Sequence, residues 1–152
     1  ALIRKFVEAR LHGESRVVAW GTGRASREFL FVEDAAEAIV LATERYEDAD
    51  PVNIGAGVEI PIRDLAATIA RLCRFEGEIV WDASHPDGQP RRMLDTSRAR
   101  ERFGFEARTG FEEGLARTIE WYVESLRPLK RSKRGVSSAD GEVDAAPITR
   151  AA

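Results

Sequence analysis

Apolar positions recur along the chain at two spacings. Leu2, Ile3, Phe6 and Ala9 lie three and four residues apart, which predicts an amphipathic helix over residues 1–12 with Gly13 to close it. Arg16 to Trp20 is a short β-rich run, Gly21-Thr22-Gly23 a tight turn and Arg27 to Val32 a second apolar run. Two strands joined by that turn are expected. Glu33 and Asp34 open a helix whose apolar side runs through Ala35, Ala38, Ile39 and Ala42, the two acids complementing its dipole.

Pro51 to Gly57 reads as a buried strand that runs into small residues. Ile62 to Arg74 is a helix with Leu65, Ile69, Leu72 and Cys73 on one face, and Gly77 separates it from a strand at Glu78 to Trp81. Asp82 to Arg92 holds two prolines, a glycine and no period, so it is a loop. Met93 to Asp95 leaves that loop. Ser97 to Phe103 is a short polar helix, and Phe111 to Leu126 a longer amphipathic one. The alternation of strands and helices gives an α/β class. From Arg127 the character changes: residues 127–134 carry five cations and precede an end rich in Ser, Ala, Gly and Asp, which predicts a disordered tail over 127–152.

Composition narrows this picture without redirecting it. With 152 residues, 43% of them hydrophobic and 32% charged, the chain suits one soluble domain with a modest core. A net charge of −3 provides no overall basic footprint, which argues against a nucleic-acid partner. No apolar run approaches the ~20 residues that span a bilayer, and no charged segment followed by an apolar one stands at residues 1–20. Cys73 is the single cysteine; it cannot form an internal disulfide and reads as a small core residue. A cytoplasmic protein is expected. The chain starts without Met inside an amphipathic run that lacks a usual N-cap, so a truncated start is also expected.

The alternation invites a search for a dinucleotide site, and the signature is missing. Gly21-x-Gly23 stands between two strand-like runs, has no third glycine three residues on and opens no helix, so it cannot seat a pyrophosphate on a helix N-terminus. Neither Tyr46 nor Tyr122 has a lysine four residues later. Two other constellations carry chemistry. In the first, Trp20 offers a stacking face, the glycine turn admits a close backbone approach, and the Arg27 fork suits phosphate oxygens. Taken bare, Trp20 reads rather as core and Arg27 as a salt-bridged surface residue. In the second, the proline-braced loop from His85 to Arg92 presents Asp87 for hydroxyl groups and Arg91 or Arg92 for phosphate. His85 is there as an exposed turn residue able to act as acid or base.

These segments, from Ala1 to about Leu126, resemble the extended short-chain dehydrogenases that process nucleotide sugars. REFLFVEDAA and VNIGAG are shared widely in that family, whereas WGTGxxxREF paired with PDGxPRxxLD resembles its GDP-L-fucose synthase branch. The resemblance implies the C-terminal substrate-binding lobe, with part of a Rossmann-type parallel sheet and without the N-terminal Rossmann core. It implies an enzyme that epimerises GDP-4-keto-6-deoxy-D-mannose at two ring carbons and reduces it with NADPH to GDP-L-fucose, dimeric when whole. Substrate contacts would fall on Lys5, Trp20, Arg27 and Asp87, with Arg92 where the family commonly has lysine. His85 departs from a usual lysine, Gln89 from threonine and Val7 from histidine, which bears on fine substrate preference. The family's NADP loop and proton-moving residues match no position here, so the chain alone is expected to be inactive, with strand edges and apolar helix faces uncovered.

Overall fold

The computed structural model describes residues 1–126, so the expected disordered tail over 127–152 lies outside the described residues. Helix α1 (Leu2–His12) turns Phe6, Val7 and Ala9 inward and ends at Gly13, whose N–H reaches back to the carbonyls of Ala9 and Arg10. Strand β1 (Arg16–Trp20) follows and alternates in burial: Val17 and Ala19 point into the core, while Arg16, Val18 and Trp20 face out. Trp20 is thus not a core residue, because the two-residue period assigns it to the outer face.

Strand β2 is shorter than expected. It covers only Ser26–Glu28, and Phe31 already caps helix α2 (Val32–Arg45), so Val32 is helical. The ladder stops for lack of partners, since the strands beside β2 hold only three and two residues: β3 (Glu59–Pro61) runs antiparallel to it, and β5 (Arg91–Arg92) parallel. Neither β3 nor β5 was expected from the sequence. Residues 51–57 are not a strand either. Among the described residues no strand pairs with them; Val52 and Ile54 pack into a core instead, and the Asn53 amide donates to the Asp95 carbonyl at 3.2 Å.

Helix α3 (Ile62–Leu72) leads through Cys73 to β4 (Glu78–Asp82), which pairs in parallel with β1 from Arg16 opposite Glu78 to Trp20 opposite Asp82. That parallel pair is the frame of the candidate site. Helices α4 (Ser97–Phe103) and α5 (Phe111–Ser125) finish the described chain.

Two hydrophobic clusters result. The larger is built from α1, β1, α3 and α5 and includes Phe6, Val17, Leu65, Ile69, Cys73, Phe75 and Ile119. Phe6 and Ile69 are its largest fully buried side chains, and each contributes about 1.5–3 kcal/mol by leaving water. Burial also pushes the Cys73 thiol up from its ordinary value, as befits an unreactive core residue. The smaller cluster joins Ala38 of α2 to Ala99, Phe103 and Phe105. The two meet where Phe31 packs on Gly114 and where Asp34, only 6% exposed, accepts from the Thr109 N–H at 3.0 Å and hydroxyl at 3.1 Å. Asp34 therefore binds a loop rather than merely complementing the helix dipole.

Candidate nucleotide-sugar site

Parallel pairing of β1 and β4 brings their C-terminal ends side by side, so the turn at 21–23 and the loop at 83–90 leave the sheet together. The Gly21 N–H donates to the Asp82 carbonyl at 2.9 Å. Gly21 and Gly23 both have positive φ, 82° and 71°, and both are crowded. A Cβ on Gly21 would fall on the Asp87 carboxylate, and one on Gly23 would lie 2.6 Å from the Trp81 ring. Glycine is required at each by both backbone angle and space.

Asp87 is the bolt of this turn. The N–H and the hydroxyl of Thr22 each donate to it at 2.5 Å. The Thr22 hydroxyl, with the amides of Thr22 and Gly23, holds the Asp87 carboxyl below the ordinary carboxylate range. From the other side, Arg63 donates through its guanidinium to the Thr22 carbonyl at 3.2 Å and through its N–H to the Gly23 carbonyl at 2.9 Å.

Trp20 stands beside this turn, 66% exposed. The imidazole of His85 stacks on it, 4.3 Å between centroids and 7° from parallel, and the Lys5 ammonium lies over the same ring at 5.6 Å. Lys5 also donates to the Val18 carbonyl at 2.8 Å. Nδ1 of His85 is 3.0 Å from the Asp82 carboxylate, whose other oxygen accepts from the Ser84 N–H at 3.0 Å and hydroxyl at 2.6 Å. Asp82 is held below its ordinary value chiefly by Ser84, with His85 a smaller cause.

Arg27 donates to the Ser26 and Gln89 carbonyls at 2.6 and 2.8 Å and so braces the loop two residues beyond Asp87; it makes no salt bridge among the described residues. Arg92 lies directly across from it in the β2–β5 register. Arg91 instead pairs with Glu59 at 2.6 Å, and the Ser26 hydroxyl donates to the other oxygen of that carboxylate. Glu59 is accordingly held below its ordinary value, first by Ser26 and then by Arg91. A cleft of about 930 Å³ opens beside β5, its lining including Arg91, Arg92, Arg100, Gly55 and Gly57.

Lys5, Trp20 and Asp87 thus gather at the end of β1, with Arg27 and Arg92 adjacent on the second sheet. Three supporting residues escaped the sequence reading: Thr22, Asp82 and Glu28. Glu28 accepts from the Gly57 N–H at 2.7 Å through one oxygen and from the Leu94 N–H at 2.8 Å through the other, tying three segments together. An acid inside the apolar run REFLFV was the available signal.

Residues 1–55 match the NAD dependent epimerase/dehydratase family. Over 131 residues the chain is 41% identical to a probable GDP-L-fucose synthase 1 of Oryza sativa subsp. japonica, an alignment that covers 86% of this chain and 40% of that relative. In sequence the chain is thus similar to members of the epimerase/dehydratase family. Among solved structures, a GDP-L-fucose synthetase from Naegleria fowleri superposes with a TM-score of 0.75 at 27% identity, over 81% of this chain and 38% of that one. A UDP-glucose 4-epimerase from Thermotoga maritima, solved with UDP-glucose, gives 0.71 at 29% identity, over 83% and 40%. The chain spans about two-fifths of the length of the curated relatives it matches. Among the described residues no helix is long and apolar enough to cross a membrane, and no cluster of metal-binding side chains occurs.

Proposed function

We propose that this chain forms the GDP-sugar-binding part of a GDP-L-fucose synthase, the enzyme that epimerises GDP-4-keto-6-deoxy-D-mannose and reduces it to GDP-L-fucose. The observation that carries the reading is the convergence of Lys5, Trp20, Arg27 and the Asp87 loop at one end of the β1–β4 pair. Arg27 and Arg92, side by side, suit the charge of a diphosphate. Lys5 adds a third cation beside the indole. Asp87 spends part of its acceptor capacity on Thr22, and a carboxylate with about four lone-pair sites retains room for a sugar hydroxyl.

The described residues do not fit the nicotinamide cofactor of the family. The Gly21–Gly23 turn is filled by the Asp87 carboxylate and leads into a strand, not a helix. No hydride or proton transfer is assigned to these residues; their part is binding and orientation, and the chain by itself is expected not to turn over. Calorimetry of the chain with GDP, GDP-sugars and UDP-sugars tests the reading. Binding of GDP compounds that weakens at least about tenfold in Arg27→Met supports it, in line with the loss of a charge-assisted hydrogen bond. Preference for UDP compounds refutes the fucose synthase assignment. It would favour a second reading, the same lobe of another nucleotide-sugar epimerase, for which the superposition on the UDP-glucose 4-epimerase is the supporting observation.

A further inference from the structure

We propose that His85 is a protonation-dependent latch: stacked on Trp20 and joined to Asp82, it fixes the indole and the 83–90 loop to one another, most firmly when the imidazole carries a proton. The nucleotide-binding role of the indole rests on the reading above; the latch itself does not.

The geometry is specific. An almost parallel ring pair at 4.3 Å places the imidazole on the indole face, and Nδ1 reaches the Asp82 carboxylate at 3.0 Å, so the imidazole is held by two partners. Ser84 touches the same carboxylate and lies 3.4 Å from Nδ1, not near Nε2. The trio is therefore no nucleophilic triad, in which the hydroxyl and the carboxylate must sit at opposite nitrogens. The remaining use for the imidazole is mechanical. Protonation turns the contact with Trp20 into a cation–π pair and the contact with Asp82 into an ion pair, and histidine changes charge between about pH 5 and 8.

The charged groups around the imidazole are few. Asp82 faces it from the end of β4, with its carboxylate 3.0 Å from Nδ1. Lys5 of α1 lies over the same indole and opposes a second cation there. Asp87 of the same loop is turned away to Thr22. The β1–β4 register ties the backbone of Trp20 to Asp82 at the start of the loop, and Arg27 braces Gln89 near its end; His85 adds the tie between the indole ring itself and the loop.

Tryptophan fluorescence of the whole chain between pH 5.5 and 8 tests this, since a protonated imidazole stacked on an indole quenches its emission. We expect emission to rise with pH in the wild type and that rise to vanish in His85→Gln. In His85→Phe, which keeps the stack without the charge, emission should be flat with pH. With GDP as probe at pH 6, His85→Gln should bind about three- to fivefold more weakly than wild type, and His85→Phe should recover most of that loss. A pH-dependent emission that survives in His85→Gln overturns the latch. If the wild type does not bind GDP, the nucleotide reading fails while the fluorescence arm still decides the latch.

Discussion

The two hydrophobic clusters are built from the same residue types and reach different degrees of closure. The one around Phe6 and Ile69 is enclosed between α1, α3, α5 and the inward face of β1. The one around Ala38 and Phe103 is covered on one side only: across α2, Val32, Ile39 and Val40 are 70%, 60% and 55% exposed. The candidate site draws Lys5, Trp20 and Asp87 from the first region, while Arg27 and Arg92 lie on the small sheet between the two. Closure therefore goes with the rigid wall of the site, and openness with the part of the molecule that has apolar surface left to cover.

The largest expected effect belongs to the enclosed cluster. Phe6→Ala should cost about 4 kcal/mol in urea denaturation, since Phe6 is fully buried and meets Phe75 edge to face at 5.5 Å. Phe103→Ala should come in lower, at about 3 kcal/mol, because an open cluster relaxes around the cavity. Equal losses would erase the distinction. Asp34→Ala, at the seam, should cost about 1–3 kcal/mol by leaving the half-buried Thr109 amide without an acceptor, with Asp34→Asn milder.

Acid should act on the site more than on either cluster. Asp82 and Asp87 have folded-state values below their ordinary ones, so their contribution is present above about pH 4 and is lost as pH falls through the depressed values. Asp87→Asn should flatten the acid limb of a stability-against-pH curve; an unchanged limb would mean that the Thr22 contacts add nothing. Smallest in stability, within about 0.5 kcal/mol, should be Ile39→Lys on the open face. The same substitution should still visibly reduce binding of an apolar dye and self-association, while a similar change at the enclosed Ile69 unfolds the chain.

Elements with a clean period were legible before any coordinates: β1 and α4 fall on the residues expected, and α1, α3 and α5 nearly so. What failed to show were features whose cause lies elsewhere in the chain. Glu59–Pro61 is a strand only because Ser26–Glu28 lies beside it, and Arg91–Arg92 for the same reason. Residues 51–57 have the composition of a strand but no partner for one among the described residues. Likewise Asp34 in a first helical turn looks like any dipole-complementing acid until Thr109 arrives from far along the chain. The resemblance singled out Trp20, Arg27 and Asp87, and the structure gathers them; that Asp87 would spend its oxygens on Thr22 was not foreseeable from spacing.

The parallel register of β1 and β4 has a kinetic side. Arg16 meets Glu78 only after the whole intervening stretch, with α2 and α3, has been ordered or looped out, so the entropy of closing that loop is spent before the pairing rewards it. Trp20 and Asp82 are the last pair of that register, and everything gathered at their end depends on it. No local hairpin can preassemble the site. A binding-competent intermediate should therefore not accumulate during refolding, and recovery of ligand affinity should keep pace with the slowest long-range step rather than with the early formation of helices.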